Sequence, residues 1–182
     1  MRPLLILAVG VLLVWLRLTV GGVDLAADPL GWLLVLVGLQ RLPGRGRDLA
    51  RGFALVALLV SLPLAVPEVA QRLADADPSL GWAVSLPGLG AFGCLAHHLG
   101  ILALGGADAA AFGWFAAVRT GAIVLAILPV LAFTTGSELV LVATALAQVG
   151  VLLTLVTLLL VLAERPWASG LDQSGPRPGT AS

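Results

Sequence analysis

Long apolar runs, separated by short breaks that contain glycine, proline and charged residues, are the dominant pattern of this sequence. A helix that spans the hydrocarbon core of a bilayer needs about 20 predominantly apolar residues. The pattern therefore predicts an all-α integral membrane protein, a bundle of about six transmembrane helices. The predicted spans are approximately residues 3–20, 29–42, 49–66, 80–104, 120–134 and 138–163, all within one transmembrane domain of residues 1–165. Residues 166–182 are rich in Gly, Pro and Ser and are predicted to form a disordered cytoplasmic tail.

Two spans need interpretation. The first is taken as a membrane helix and not as a cleaved signal peptide, because Arg17 follows the apolar run directly and no small-x-small cleavage site precedes Asp24. The start of the fifth span is open, since Ala109–Val118 fits either an interfacial segment or the beginning of one long helix. An arginine in mid-membrane costs several kcal/mol unless it snorkels or pairs. We therefore predict a break near Arg119.

The distribution of arginine predicts the orientation of the bundle. With the N-terminus in the cytoplasm, six crossings place eight of the ten basic residues inside, namely Arg2, Arg41, Arg45, Arg47, Arg51, Arg119, Arg165 and Arg177. Only Arg17 and Arg72 then lie outside. This is the positive-inside pattern, and it predicts cytoplasmic N- and C-termini.

Composition supports a lipid environment. Hydrophobic residues make up 59% of the chain, charged residues only 11%, and the mean hydropathy is +1.07. A soluble domain carries about 25% charged residues, so lipid must cover most of this surface. The net charge of zero gives no basic excess for nucleic acid, and the single cysteine excludes an internal disulfide. The absence of Lys, Asn and Tyr is typical of a GC-rich bacterial genome, which predicts the bacterial cytoplasmic (plasma) membrane as the location.

Three charged residues near the first turn are candidates for an ion or proton site: Arg17, Asp24 and Asp28. A turn at Gly21-Gly22 would bring the two carboxylates back over Arg17 at the outer surface. Ionisable groups in membrane segments often mark ion pathways. The alternative, which we favour, is a helix cap and a salt bridge that pin the hairpin, because charges near helix ends cost little.

Cys94, His97 and His98 are the candidates for a metal site. Their spacing places Cys94 on one helix face with each histidine in turn. Zinc sites use at least three protein ligands, and the chain has no other histidine, so we predict no metal and no cofactor. The histidines are expected near the cytoplasmic end, bonded to backbone or headgroups.

Polar residues in the last span form a third candidate group: Thr144, Gln148 and Thr154. Gln148 is the only amide near the middle of any predicted span. Weakly polar side chains commonly hold membrane helices together, and we favour this packing role. A substrate pathway would use the same residues.

An internal echo and a family resemblance involve the second span. Asp28-Pro29-Leu30-Gly31-Trp32 is echoed by Asp77-Pro78 with Gly81-Trp82, which favours either duplicated hairpins or repeated helix-start chemistry. The segment from Val23 to Leu39 resembles a hairpin of small uncharacterised, actinobacterial-like multi-pass membrane proteins, in which an Asp is followed by Pro-Asp, a Gly-aromatic pair and an apolar run ending in Gly-Leu. Here the proline follows the second Asp. The resemblance covers about the first quarter of the chain and implies a membrane fold without an activity.

No segment combines a nucleophile, a base and an oxyanion site, so the sequence does not predict an enzyme. The predicted function is a non-catalytic component of the bilayer that packs with another copy of itself or with a membrane-protein partner. Two alternatives stay open: a transporter or channel for a small solute or ion, and a metal- or haem-dependent membrane enzyme.

Overall fold

The computed structural model describes residues 2–15, 18–20, 23–25, 27–44 and 46–168, and this part of the chain is helical apart from one short hairpin. The helices are α1 (Pro3–Trp15), α2 (Ala27–Gln40), α3 (Arg47–Leu64), α4 (Pro67–Ala76), α5 (Pro78–Gly105), α6 (Ala109–Thr135) and α7 (Glu138–Val161). The strands are β1 (Leu18–Val20) and β2 (Val23–Leu25), and two 3₁₀ turns follow α7 at Leu162–Glu164 and Pro166–Ala168.

The first predicted span is too long as a helix. Helix α1 ends at Trp15, and β1 then pairs antiparallel with β2, so that Val20 lies opposite Val23 and Thr19 opposite Asp24. β-Branched residues around a Gly-Gly pair favour a hairpin over a helix, which explains the early end of α1. The reversal of the chain lies where the turn was predicted.

The predicted break near Arg119 is wrong, because α6 is a continuous helix from Ala109 to Thr135. Arg119 is the eleventh of the 27 residues of α6 and so lies within the helix. Its guanidinium donates a hydrogen bond to Nδ1 of His97 on α5, over 3.1 Å, and such pairing lowers the cost of an arginine within a span.

Three helices are long and apolar enough to cross a membrane, namely α5, α6 and α7 with its 3₁₀ extension. A fourth span results if α3 and α4 count as one, although the chain bends by 102° between them. Helices α1 and α2 are apolar but shorter than a typical span. The chain therefore has three or four candidate spans on length and composition, and six crossings stay a prediction.

Six of the described helices form a closed ring. Packed neighbours follow the order α1, α2, α3, α5, α6 and α7, and α7 returns to α1. Helix α4 lies at the bend and packs on α3 and α5. One hydrophobic core runs through the ring, with Leu7, Leu39, Leu99, Phe115 and Leu159 fully buried.

The contact between α1 and α2 depends on two glycines. A Cβ added to Gly31 would lie 2.8 Å from the carbonyl oxygen of Gly10, and one added to Gly10 would lie 2.9 Å from that of Gly31. Both distances are far below van der Waals contact, so the two backbones touch at this crossing. Close approach through small residues is the usual way in which membrane helices gain packing energy.

The ordered chain continues past the predicted domain boundary at residue 165. Trp167 is 7% exposed and packs edge-on against Phe115, with ring centroids 6.5 Å apart. Its side chain also lies against Gly106, where an added Cβ would come within 2.7 Å. The beginning of the predicted tail is therefore part of the bundle, and residues 169–182 lie outside the described residues.

We expect Gly31→Ala to destabilise the protein by about 1–3 kcal/mol, the usual cost of overpacking, because its Cβ would meet backbone atoms that cannot move aside. Gly150→Ala is the matched control, since that Cβ would meet nothing within 4 Å. Thermal unfolding in a mild detergent measures both. Equal shifts in Tm for the two variants would contradict a backbone contact at Gly31.

Trp167→Ala should cost about 3–5 kcal/mol of unfolding free energy, because it removes a buried aromatic ring and leaves a cavity beside Phe115. Trp114→Ala serves as the control, since Trp114 on α6 is 58% exposed. The same unfolding assay applies. A Trp167 variant as stable as the Trp114 variant would show that the C-terminal turn does not contribute to the bundle.

Candidate functional site: a polar cavity inside the helix ring

A cavity of about 260 Å³ lies between α1, α2, α3, α5 and α7. It is located where α1 and α3 end and where α2 and α5 begin, so its lining includes Trp15, Asp28, Leu64 and Gly81. With the predicted orientation this is the outer end of the bundle. A single water needs only about 10–15 Å³ of such space, so the cavity has room for a small solute.

Polar side chains from four different helices line this cavity: Asp28 of α2, Ser61 of α3, Ser85 of α5 and Gln148 of α7. The Ser61 hydroxyl donates to the carbonyl of Leu58 over 2.8 Å, and the Ser85 hydroxyl donates to that of Trp82 over 2.7 Å. Each hydroxyl thus donates its hydrogen to a carbonyl of its own helix, and its oxygen can still accept a hydrogen bond from another group. The two serine hydroxyls therefore offer acceptors to the cavity.

Of the described residues that line the cavity, Asp28 is the one with a charged side chain. Helix α2 begins at Ala27, so Asp28 lies in its first turn and not at the capping position before it. A carboxylate in the first turn interacts favourably with the positive end of the helix dipole. Asp28 therefore places a carboxyl group in the lining of the cavity.

The other members of the predicted charged group are Arg17 and Asp24. Arg17 lies outside the described residues. For Asp24 the structure describes only the backbone, which pairs with Thr19 in the hairpin. Asp28 is therefore the member of the predicted ion site whose side chain the structure describes.

The three polar residues predicted on the last span have different environments. Thr144 is buried and donates to the carbonyl of Val140 over 2.7 Å, and Thr154 donates to that of Gly150 over 2.7 Å. Both hydroxyls are thus bonded within α7. Gln148 is exposed and borders the cavity. Sequence reasoning identified Gln148 by its mid-span position, but not that it lies on the same cavity as Asp28.

An aromatic stack limits the cavity on the inner side. The rings of Trp32 and Phe92 lie 5.3 Å apart with an interplanar angle of 22°. Trp32 is only 4% exposed, and the next turns of α2 and α5 bury Leu39 and Leu95. Trp32 and Phe92 thus form an aromatic floor in the lining of the cavity, and Trp32 is buried inside the bundle.

The candidate metal ligands point in different directions. Cys94 and His97 line a separate groove between α3, α5 and α6. His98 is 3% exposed, and its Nε2 lies 3.0 Å from the carbonyl oxygen of Pro43 in the loop between α2 and α3. Among the described residues, no three His, Cys, Asp or Glu side chains are grouped to hold a metal ion. In this arrangement His98 joins α5 to the loop, and His97 contacts α6.

Comparison of the chain with family profiles, with curated proteins and with solved structures finds no match in any of the three.

Thiol labelling tests the accessibility and charge of the cavity. In a Cys94→Ala background, we expect Ser85→Cys to react with a membrane-impermeant methanethiosulfonate added from outside the cell. The cationic ethyltrimethylammonium reagent should react about fivefold or more faster than the anionic ethylsulfonate reagent of similar size, since a nearby carboxylate attracts one and repels the other.

Adding Asp28→Asn should bring the two rates together, whereas Asp75→Asn on α4 should leave their ratio unchanged. Labelling only from the cytoplasmic side would contradict the predicted orientation. Equal rates for both reagents before the Asp28 change would show that the cavity carries no effective negative charge.

Proposed function

We propose that this chain is a small multi-pass transporter of the bacterial cytoplasmic membrane, which takes a small cationic solute into its cavity from the outer side. The observation that carries the proposal is the convergence of Asp28, Gln148 and two serine hydroxyls on one cavity inside the ring of helices. Polar and ionisable groups within a membrane bundle are costly, and they are commonly retained where they bind a transported solute.

The chemistry of the lining favours a cation. One carboxylate and several oxygen acceptors supply the charge and hydrogen-bond complement of an ammonium group. The aromatic floor formed by Trp32 and Phe92 adds a surface on which a cation is attracted by the ring faces. No basic side chain borders the cavity among the described residues.

The aromatic stack suggests where the transport cycle is gated. The lining of the cavity extends from the ends of α1 and α3 to the stack of Trp32 and Phe92. Transport requires a second state in which the solute reaches the inner side. Parting of this stack is the smallest change that would extend the cavity inward.

A second candidate is the non-catalytic membrane component predicted from the sequence. Its support is the outer half of α7, where nearly every side chain is exposed, including Leu139 at 78% and Leu146 at 68%. A second copy or a partner helix would cover this apolar face, although lipid also does so. Membership in the small bacterial family that the Val23–Leu39 segment resembles stays part of this proposal.

Uptake into proteoliposomes separates the two candidates. We expect the wild-type protein to take up radiolabelled guanidinium, a small cation with N–H donors whose charge does not vary with pH near neutrality. Asp28→Asn should lower this uptake about tenfold or more, because a buried cation loses its counter-charge. Asp75→Asn, which removes a carboxylate from the exposed face of α4, should retain wild-type uptake.

Equal uptake by protein-free and protein-containing vesicles would refute the transport of this class of cation. If a lower uptake in Asp28→Asn is accompanied by a loss of thermal stability that Gln148→Leu does not share, the effect of Asp28 is structural. In that case Gln148→Leu, at an exposed position, must still lower uptake for the proposal to stand.

A further inference from the structure

A second concave surface lies on the outside of the ring, between α3, α5 and α6. It is a groove of about 440 Å³ whose walls are almost entirely apolar and include Phe53, Leu86, Ile123 and Ala126. Its two strongly polar residues are His97 and Arg119, which share one hydrogen bond. We call this surface the α3–α5–α6 groove.

The groove runs along the helices and has its polar residues at one end. Leu86 and His97 are eleven residues apart on α5, which corresponds to about 16 Å along a helix. This is about half of the hydrocarbon core of about 30 Å. Since α5 runs from the predicted outer side to the inner side, His97 and Arg119 lie at the cytoplasmic end of the groove.

Glycines form part of the floor of the groove. A Cβ on Gly90 would lie 2.6 Å from the ring of Phe53, so the ring packs directly on the backbone of α5 there. A Cβ on Gly93 would reach the Cβ of Ala122 at 3.5 Å, an ordinary contact. A volume of about 440 Å³ over a length of about 16 Å gives a cross-section of roughly 27 Å², much less than that of a transmembrane helix about 10–12 Å across, so the groove fits a single acyl chain better than a helix.

Arg119 has unused hydrogen-bonding capacity. A guanidinium carries five N–H donors, and one of those of Arg119 goes to Nδ1 of His97. The ion pairs of the described residues join Arg2 to Glu164 and Arg165 to Asp108, so none of them involves Arg119. An arginine at this depth is costly unless it is paired with an anion or reaches the headgroup region.

From this combination we infer that the α3–α5–α6 groove binds an anionic phospholipid of the cytoplasmic leaflet. The phosphate accepts hydrogen bonds from Arg119, whose planar fork matches phosphate oxygens in a bidentate manner. One acyl chain lies along the apolar walls between Phe53 and Ile123. The lipid supplies the anion that the protein does not place beside Arg119, and its chain covers a surface that water does not reach in a bilayer.

Native mass spectrometry of the full chain in a mild detergent tests this inference. The probes are phosphatidylglycerol and phosphatidylcholine with identical acyl chains, each added at the same concentration. We expect the wild type to retain phosphatidylglycerol about fivefold better, in line with the contribution of one basic residue near a membrane surface. Arg119→Gln should remove this preference, and Arg119→Lys should keep part of it. Arg72→Gln, on α4 at the other end of the bundle, should behave as the wild type.

A groove-filling change supplies an independent readout. Gly93→Leu has room for its Cβ but extends into the groove, so it should reduce the retention of both lipids. This test holds even if Arg119→Gln fails to fold. Equal retention of the two lipids by the wild type would overturn the inference, as would unchanged retention in Gly93→Leu. A preference for phosphatidylglycerol that survives in a folded Arg119→Gln variant would assign the lipid to another basic surface.

Discussion

The contact between the backbones of α1 and α2 determines where the polar cavity lies. Gly10 and Gly31 allow α1 and α2 to approach until the backbone carbonyl oxygen of each glycine occupies the place where a Cβ of the other glycine would need space. Gly31 is directly preceded by the turn that holds Asp28 and followed by Trp32, the floor of the cavity. The close crossing thereby fixes both residues against the end of α1. In lipid there is little hydrophobic gain from helix association, so such contacts supply the specificity of packing.

Different polar side chains lie at the two ends of the bundle. The cavity at one end is lined by Asp28, whereas Arg47 and His98 contact the loop between α2 and α3 at the other end. There Arg47 donates to the carbonyls of Gln40 and Leu42 and so caps the C-terminal end of α2. His98 binds the carbonyl of Pro43 in the same loop. Arg47, one of the arginines that predict the orientation, thus also holds the loop between α2 and α3 in place.

The sequence predicted the helical class because lipid-facing helices must be apolar along most of their length. Helix α5 agrees closely with its predicted range, and the carboxylate of Asp77 accepts the N–H of Ser79 at 2.7 Å where the helix begins. This hydrogen bond lowers the pKa of Asp77 below its ordinary value. Local signals of this kind are readable because the residues involved are neighbours in the chain.

Features that depend on distant residues were not predictable in the same way. Arg119 lies within the continuous helix α6, and its partner His97 is 22 positions away in the sequence. The cavity combines residues as far apart as Asp28 and Gln148, and hydropathy alone does not show that they meet. Three Gly-Trp pairs look alike in sequence, yet Trp32 is buried, Trp82 donates to the carbonyl of Ala126, and Trp114 is exposed. Their roles follow from the helices that surround them.

The closure of the ring has a consequence for biosynthesis. Among the described helices, α1 is synthesised before the others, and one of its two neighbours in the ring is α2, which follows it at once. Its other neighbour is α7, and Arg2 contacts Glu164 just beyond α7. One flank of α1 must therefore stay covered by lipid or by insertion machinery until α7 has been made. The cavity is lined by both α1 and α7, so it cannot be complete before α7 has joined the bundle.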